Sequence, residues 1–211
     1  MSNISSNTKK RLPFYLEYLN KIKNEGQKNV SSGAIAIALN LGEVQVRKDI
    51  ANISTSGKPK IGYDVETLIL DLEKYLGYHD CDDAIIFGAG KLGTALLDYP
   101  GFNACGLNIV KAFDVDKNKH GLSESGKEIS PIEEFEEFNK ENHVRIGILC
   151  VPDAHAQEVC DLMVKNGIKA ILTFTQEHLE LPEDVVVKNE NLAYSLALLS
   201  IELKIKHKNL D

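Results

Sequence analysis

Residues 84–93 run Ala-Ile-Ile-Phe-Gly-Ala-Gly-Lys-Leu-Gly, a short apolar segment that breaks into three glycines spaced GxGxxG. At a strand-to-helix turn this spacing has a physical reading. Gly88 permits the tight turn, Gly90 lets a pyrophosphate approach the backbone, and Gly93 lets helix and strand pack closely. The N-terminus of the helix then faces the phosphate charge, with Ala89, Lys91 and Leu92 as the intervening loop residues. A second predicted strand, Asn108 to Asp116 (NIVKAFDVD), ends in acids, and Asp114 lies 21 residues after Gly93. A carboxylate there bonds the adenine ribose hydroxyls and repels a 2′-phosphate, with Asp116 as its substitute. Strand, helix and acid together predict a dinucleotide site for NAD(H). An empty site, or one that takes another nucleotide such as coenzyme A, stays open.

The pattern beyond the motif alternates strand and helix. HGLSESGKEIS (120–130) reads as a polar loop, and Ser130-Pro131 as the cap and first residue of a helix through IEEFEEFNKEN. VRIGILCVP is a third strand, DAHAQEVCDLMVKNG a helix stopped by Gly167, IKAILTF a fourth strand, VVV at 185–187 a fifth. Alternation of this kind predicts a Rossmann-like α/β body with a doubly wound parallel sheet over 81–190. A terminal helix over 191–211 has Leu192, Leu196, Leu199 and Leu203 at near-heptad spacing and is apolar around much of its circumference. A helix that apolar must be buried, in its own subunit or against another. His155, after the third strand, is the best-placed acid/base candidate, although a surface histidine on a first helical turn is the simpler reading. Cys150 reads as a small buried apolar residue. Too little chain follows Phe174 for a separate catalytic domain, so an enzyme is not expected.

Residues 1–80 have a different character. Residues 1–60 hold ten Lys/Arg against four acids, whereas the whole chain carries a net charge of −7. A basic head on an acidic body fits nucleic-acid binding by the head. Leu12, Tyr15, Leu16, Leu19 and Ile22 are spaced for a helix over 9–24, with Pro13 in its first turn. Ser31-Ser32 caps a short helix carrying Ile35, Ala38 and Leu39. Asn40-Leu41-Gly42 turns into EVQVRKDIANI, with Val44, Val46 and Ile50 inward and Gln45, Arg47 and Lys48 outward. Helix, short turn, helix is a helix-turn-helix. STSGKPKIGYD reads as a wing carrying Lys58 and Lys60, and an amphipathic helix from Asp64 to Leu76 leads to the body, closed by Gly77-Tyr78-His79-Asp80. The cysteines, Cys81, Cys105, Cys150 and Cys160, form no CxxC pair, so neither zinc nor another metal, nor a disulfide framework, is expected. No apolar run approaches the ~18 residues of a membrane span, and no secretory signal opens the chain. These features predict a cytoplasmic protein without a membrane partner.

KRLPFYLEYL, VSS, QVRKDI, GK followed by IGYDVE, GAGKLGTALLDYPGF, AFDVD, ILCVP, AQEV, GIKAILTF and LPEDVVVKN occur in this order over about residues 9–192. Together they resemble the Rex family of bacterial redox-sensing transcriptional repressors. The resemblance implies an N-terminal winged helix and a C-terminal NAD(H)-binding Rossmann domain. It implies a homodimer with a swapped C-terminal helix that binds palindromic double-stranded operator DNA and is released by rising NADH. It assigns Gln45, Arg47 and Lys48 to the recognition helix, Ser31 and Ser32 to phosphate donation, and Lys58 to the wing with Lys60 beside it. Gly88, Gly90, Gly93 and Asp114 match the NAD site, and Val151, Pro152 and Phe174 the nicotinamide end. Arg11 and Tyr99 match a state-dependent polar switch whose usual Asp partner is Asn191 here. Ala51 to Gly57 departs from the family's run ahead of the wing, and Lys91 stands where Asn or Arg is frequent. A regulator of the same architecture with weakened redox sensing, and a small NAD-dependent oxidoreductase, are the alternatives.

Overall fold

The computed structural model describes residues 4–59, 61–78 and 82–208; Lys60, His79, Asp80 and Cys81 lie outside the described residues, as do the side chains at 104–105 and 207–208. The chain divides into two compact units, Met1–Cys81 and Asp82–Asp211.

In the first unit, helix α1 (Ser6–Asn24) starts earlier than its apolar spacing suggests, because Ser5 caps it by accepting from the Thr8 N–H. Pro13 therefore sits inside the helix rather than in its first turn. Strand β1 (Asn29–Val30) pairs antiparallel with β2 (Tyr63–Asp64). Between them lie α2 (Ser32–Ala38) and α3 (Glu43–Ala51), joined through Asn40 at φ 53°. Helix α4 (Val65–Leu76) is capped by Asp64. Leu12, Leu19, Ile35, Val46, Ile50, Leu68 and Leu72 meet in one core. Ile35 and Ala36, rather than Ala38, face that core from α2. Val44 is not inward as its spacing with Val46 suggests: it is 65 % exposed, and the third inward position of α3 belongs to Asp49.

Asp49 is the only acid among the described buried residues of this unit, and it accepts four hydrogen bonds: from Thr8 Oγ1 at 3.0 Å, Arg11 Nε at 2.8 Å, Arg11 Nη2 at 2.9 Å and Tyr15 OH at 2.7 Å. A buried carboxylate is tolerated when its lone pairs are filled and a cation faces it. Burial works against the charge, but the bonds from Arg11, Tyr15 and Thr8 outweigh it and hold Asp49 below the usual carboxylate range. Burial and then Asp49 itself push Tyr15 up to about 12, so its hydroxyl stays a donor.

The second unit is a seven-stranded sheet in the order β5-β6-β4-β3-β7-β8-β9. Five strands in a row, β4 (Leu107–Asp114), β3 (Asp82–Phe87), β7 (Ile146–Leu149), β8 (Ala170–Thr173) and the edge strand β9 (Val186–Asn189), pair in parallel. The segment expected as a polar loop supplies two more strands, β5 (Gly121–Leu122) and β6 (Glu128–Pro131), paired antiparallel to each other. Ser130 and Pro131 end β6 instead of opening a helix; Ser130 is buried in the ladder beside β4 and donates its hydroxyl to Glu128. The helix that follows, α6 (Phe135–Asn142), begins after one 3-10 turn. Helix α5 (Lys91–Leu97) packs with Ala84, Ile86 and Ile109 on one face of the sheet, and α7 (Asp153–Lys165) with Ile85, Phe87 and Phe113 on the other. Helix α8 (Leu192–Lys208) ends the chain.

Replacing Asp49 with Ala strands two Arg11 N–H groups and the Tyr15 hydroxyl in a buried site, and is expected to destabilise the first unit by about 2–4 kcal/mol. Because the folded-state pKa of Asp49 is lowered, its contribution is complete above the unfolded value of ~3.9 and is lost as pH falls through the lowered folded value. Urea midpoints of full-length wild type and Asp49→Ala across pH 3–7 check this; a gap that does not shrink towards low pH contradicts it.

Candidate functional site

Strands β4, β3 and β7 finish level with one another, tied by Gly88 N–H to Phe113 O at 2.8 Å and Cys150 N–H to Phe87 O at 2.7 Å. Their ends deliver Gly88, Gly90, Asp114, Asp116, Val151 and Pro152 to one cavity of about 960 Å³. Gly88 has φ +96°, and a Cβ on it would meet Cys150 O at 2.6 Å. Gly93 is tighter still, since a Cβ there would lie 1.9 Å from Gly88 O. Gly90 differs: its φ is unexceptional and nothing lies within 4 Å of the place a Cβ would take. The fold requires Gly88 and Gly93. At Gly90 the space is open beside the cavity, at the N-terminus of α5, the kind of place where a phosphate can meet backbone N–H groups and the positive end of a helix dipole.

Asp114 is buried and its lone pairs are largely spoken for. Oδ2 accepts from Ala89 N–H at 2.6 Å and from Lys119 Nζ at 3.0 Å, and Oδ1 from Asp116 N–H at 2.8 Å. A carboxylate offers about four lone-pair sites, so roughly one is left for a ribose hydroxyl. Burial opposes its charge, yet the bonds from Asp116, Lys119 and Ala89 win and keep it ionised. Lys119 was not foreseen. Its signal is the Asp116-Lys117-Asn118 turn, in which Asp116 accepts from Asn118 N–H at 3.0 Å and sends the chain back towards Asp114. The far wall comes from α7: His155, the acid/base candidate of the sequence, with Glu158, Val159 and Leu162, which no sequence feature singles out. Burial raises the Cys150 thiol to about 12, so at neutral pH it is neither thiolate nor nucleophile.

Phe174 does not line this cavity; it joins the apolar cluster on the α5 face of the sheet. Lys91 and Leu92 are exposed in the first turn of α5. Tyr99 is exposed, edge-to-face with Phe102 at 5.2 Å. Asn191 Oδ1 accepts from Tyr194 N–H at 2.8 Å at the start of α8. Every described side chain of α8 is exposed, Leu196 at 67 % and Leu199 at 62 % among them.

In the first unit, Gln45, Arg47, Lys48 and Lys58 are exposed. Arg47 pairs with Glu43 one turn earlier, and Glu43 also accepts from Ser32 Oγ at 3.3 Å. Ser32 is therefore buried and engaged, while Ser31 is exposed and caps α2 through Ala34 N–H at 3.0 Å. Arg11 is committed to Asp49, and the Gln45 amide, with its O and N exchanged, would accept from the Arg11 Nη atoms.

Family models match both units: "Putative DNA-binding protein N-terminus" over residues 3–51 and "CoA binding domain" over residues 81–177. The chain is 40 % identical over 198 residues to the redox-sensing transcriptional repressor Rex of Desulforamulus reducens, covering 94 % of each chain. It is 41 % identical over 197 residues to that of Treponema denticola, covering 93 % of this chain and 94 % of the other. Among solved structures, RSP in complex with beta-NAD+ and operator DNA is similar at TM-score 0.90 and 34 % identity, covering 100 % of this chain and 98 % of that one. RSP in complex with beta-NADH is similar at TM-score 0.88 and 34 % identity, covering 100 % of both.

The glycine geometry separates folding from binding. Gly93→Ala forces a methyl into Gly88 O and is expected to cost about 3 kcal/mol or more. Gly90→Ala exchanges a weak cap for a stiffer unfolded chain and is expected to stay within about 1 kcal/mol of wild type. Thermal melts of the two variants check this; equal destabilisation contradicts it.

Proposed function

The chain belongs to the Rex family of redox-sensing transcriptional repressors, and we propose that it binds palindromic double-stranded operator DNA through its first unit and NAD(H) through its second, with NADH favouring release. The observation that carries this reading is Gly90: a glycine that the protein's own packing does not demand, at a helix N-terminus, over a cavity edged by an ionised Asp114. Those residues fit a dinucleotide, with the pyrophosphate over Gly88 to Gly93 and the adenine ribose at Asp114. The match to a CoA-binding domain model is compatible with the same cradle, but a carboxylate at the ribose favours free 2′- and 3′-hydroxyls over a phosphate there.

On the first unit, Arg47 and Lys48 project from the outward face of α3 and Lys58 stands beyond it, a set suited to base edges and phosphates. Ser31 supports a phosphate contact better than Ser32, whose hydroxyl is turned to Glu43. In the second unit the exposed apolar surface of α8 supports a homodimer in which this helix is covered by the partner subunit. The reading is of a cytoplasmic regulator and not an enzyme: the thiol in the cavity is un-ionised, and His155 sits on an exposed turn. The resemblance assigns Tyr99 and Asn191 to a polar switch, while Arg11 here holds α3 through Asp49.

Operator binding measured with NAD+ and NADH titrated separately tests the function. NADH is expected to weaken binding to the operator at concentrations where NAD+ does not; identical curves for the two contradict redox sensing. Asp114→Ala is expected to reduce the preference for NADH over NADPH by about tenfold, the equivalent of one charge-assisted contact. Direct titration of both nucleotides against wild type and variant checks it, and an unchanged ratio removes Asp114 from the selective role.

A further inference from the structure

Helix α3 presents an apolar side chain at the centre of its basic face. Val44 precedes Arg47 by three residues and Lys48 by four, so the three share one side of the helix, opposite the buried Val46, Asp49 and Ile50. At 65 % exposure Val44 makes little use of its two methyl groups within the chain. The bonds of Asp49 to α1 fix the rotation of α3 about its axis, so this presentation is set by the fold. An isolated exposed valine asks for no explanation. One flanked by two cations, on the second residue of the helix that follows a helix-turn-helix turn, calls for a ligand with an apolar group set between negative charges. The major groove of DNA offers one such group, the 5-methyl of thymine, which lies between the two phosphate backbones.

We propose that Val44 is a specificity-determining residue that contacts a thymine methyl in each operator half-site, with Arg47 and Lys48 engaging the base edges or phosphates on either side. This rests on the DNA-binding reading given above. The interaction is apolar and sequence-reading, whereas any phosphate contact of the charges around it supplies affinity that every sequence shares.

The experiment uses the full chain and a palindromic duplex selected by the wild-type protein from random sequence. Binding is followed by fluorescence anisotropy at one salt concentration. Each thymine of a half-site is replaced in turn by uracil, which removes only the 5-methyl group. At one thymine position uracil is expected to weaken wild-type binding about three- to tenfold. Val44→Ala is expected to lose a similar factor on the unmodified operator and nothing further when that uracil is present, while wild type and variant bind a scrambled duplex equally. An operator without thymine in its half-sites overturns the proposal, as does full affinity of Val44→Ala, or losses that multiply at every position. Those results leave the DNA-binding reading standing. If the wild type prefers no sequence over scrambled DNA, both fall together. Val44 is exposed, so the melting temperature of Val44→Ala should match wild type, and Val44→Thr, which keeps one methyl, should fall between the two in affinity.

Discussion

The contact between Gly93 and the Gly88 carbonyl sets the geometry on which the second unit depends. Backbone can lie that close only where no Cβ intervenes, and the 1.9 Å that a Cβ would leave shows how completely α5 is seated on the turn after β3. Because β3 is the central strand, flanked by β4 and β7, fixing its end fixes theirs. Phe113 accepts from Gly88 and Phe87 from Cys150, and the next residues along those strands are Asp114 and Val151. The cavity is thus a consequence of three strands ending at one level below the N-terminus of one helix, the crevice in which open α/β sheets bind ligands.

Asp49 plays the corresponding part in the first unit. A helix-turn-helix buries little area, and α3 contributes only Val46 and Ile50 as apolar anchors. Two anchors leave the rotation of a short helix loosely defined. The bidentate bond to Arg11, with Tyr15 and Thr8 completing the acceptor shell, adds direction that apolar packing does not supply. The buried ion pair is better understood as a specifier of orientation than as a net source of stability. What it orients is the face bearing Val44, Arg47 and Lys48.

Much of this was legible in the residues. The GxGxxG loop, the acid at the end of the next strand and the alternation of apolar runs gave the body, because each is a local pattern with a local cause. What was missed is helix capping and phase, and otherwise tertiary. Pro13 suggested a first turn, but the capping serine that sets the start of α1 lies eight residues earlier. Val44 shares an alternation with Val46 that only helical phase resolves, and the inward place went to Asp49 because Arg11 and Tyr15, from another helix, were there to satisfy it. Strands β5 and β6 are short; β6 exists because β4 offers it an edge, and β5 in turn pairs with β6. Phe174 follows a strand as expected, but it faces the α5 side of the sheet. Lys119 carries no motif; only the turn at Asp116 returns it to Asp114.

The commitment of Arg11 also limits what the first unit can tolerate. Removing one partner of a buried ion pair costs about 3–5 kcal/mol, and less where, as here, one partner is partly exposed. Any acceptor that drew Arg11 away from Asp49 would have to repay nearly the whole of that loss. A carboxylate does so. A neutral amide accepts a hydrogen bond without the charge, and about half the strength of the contact goes with it. Losing the pair would also release the bonds that orient α3. Within the first unit, the Arg11–Asp49 pair is therefore favoured wherever α3 keeps its place.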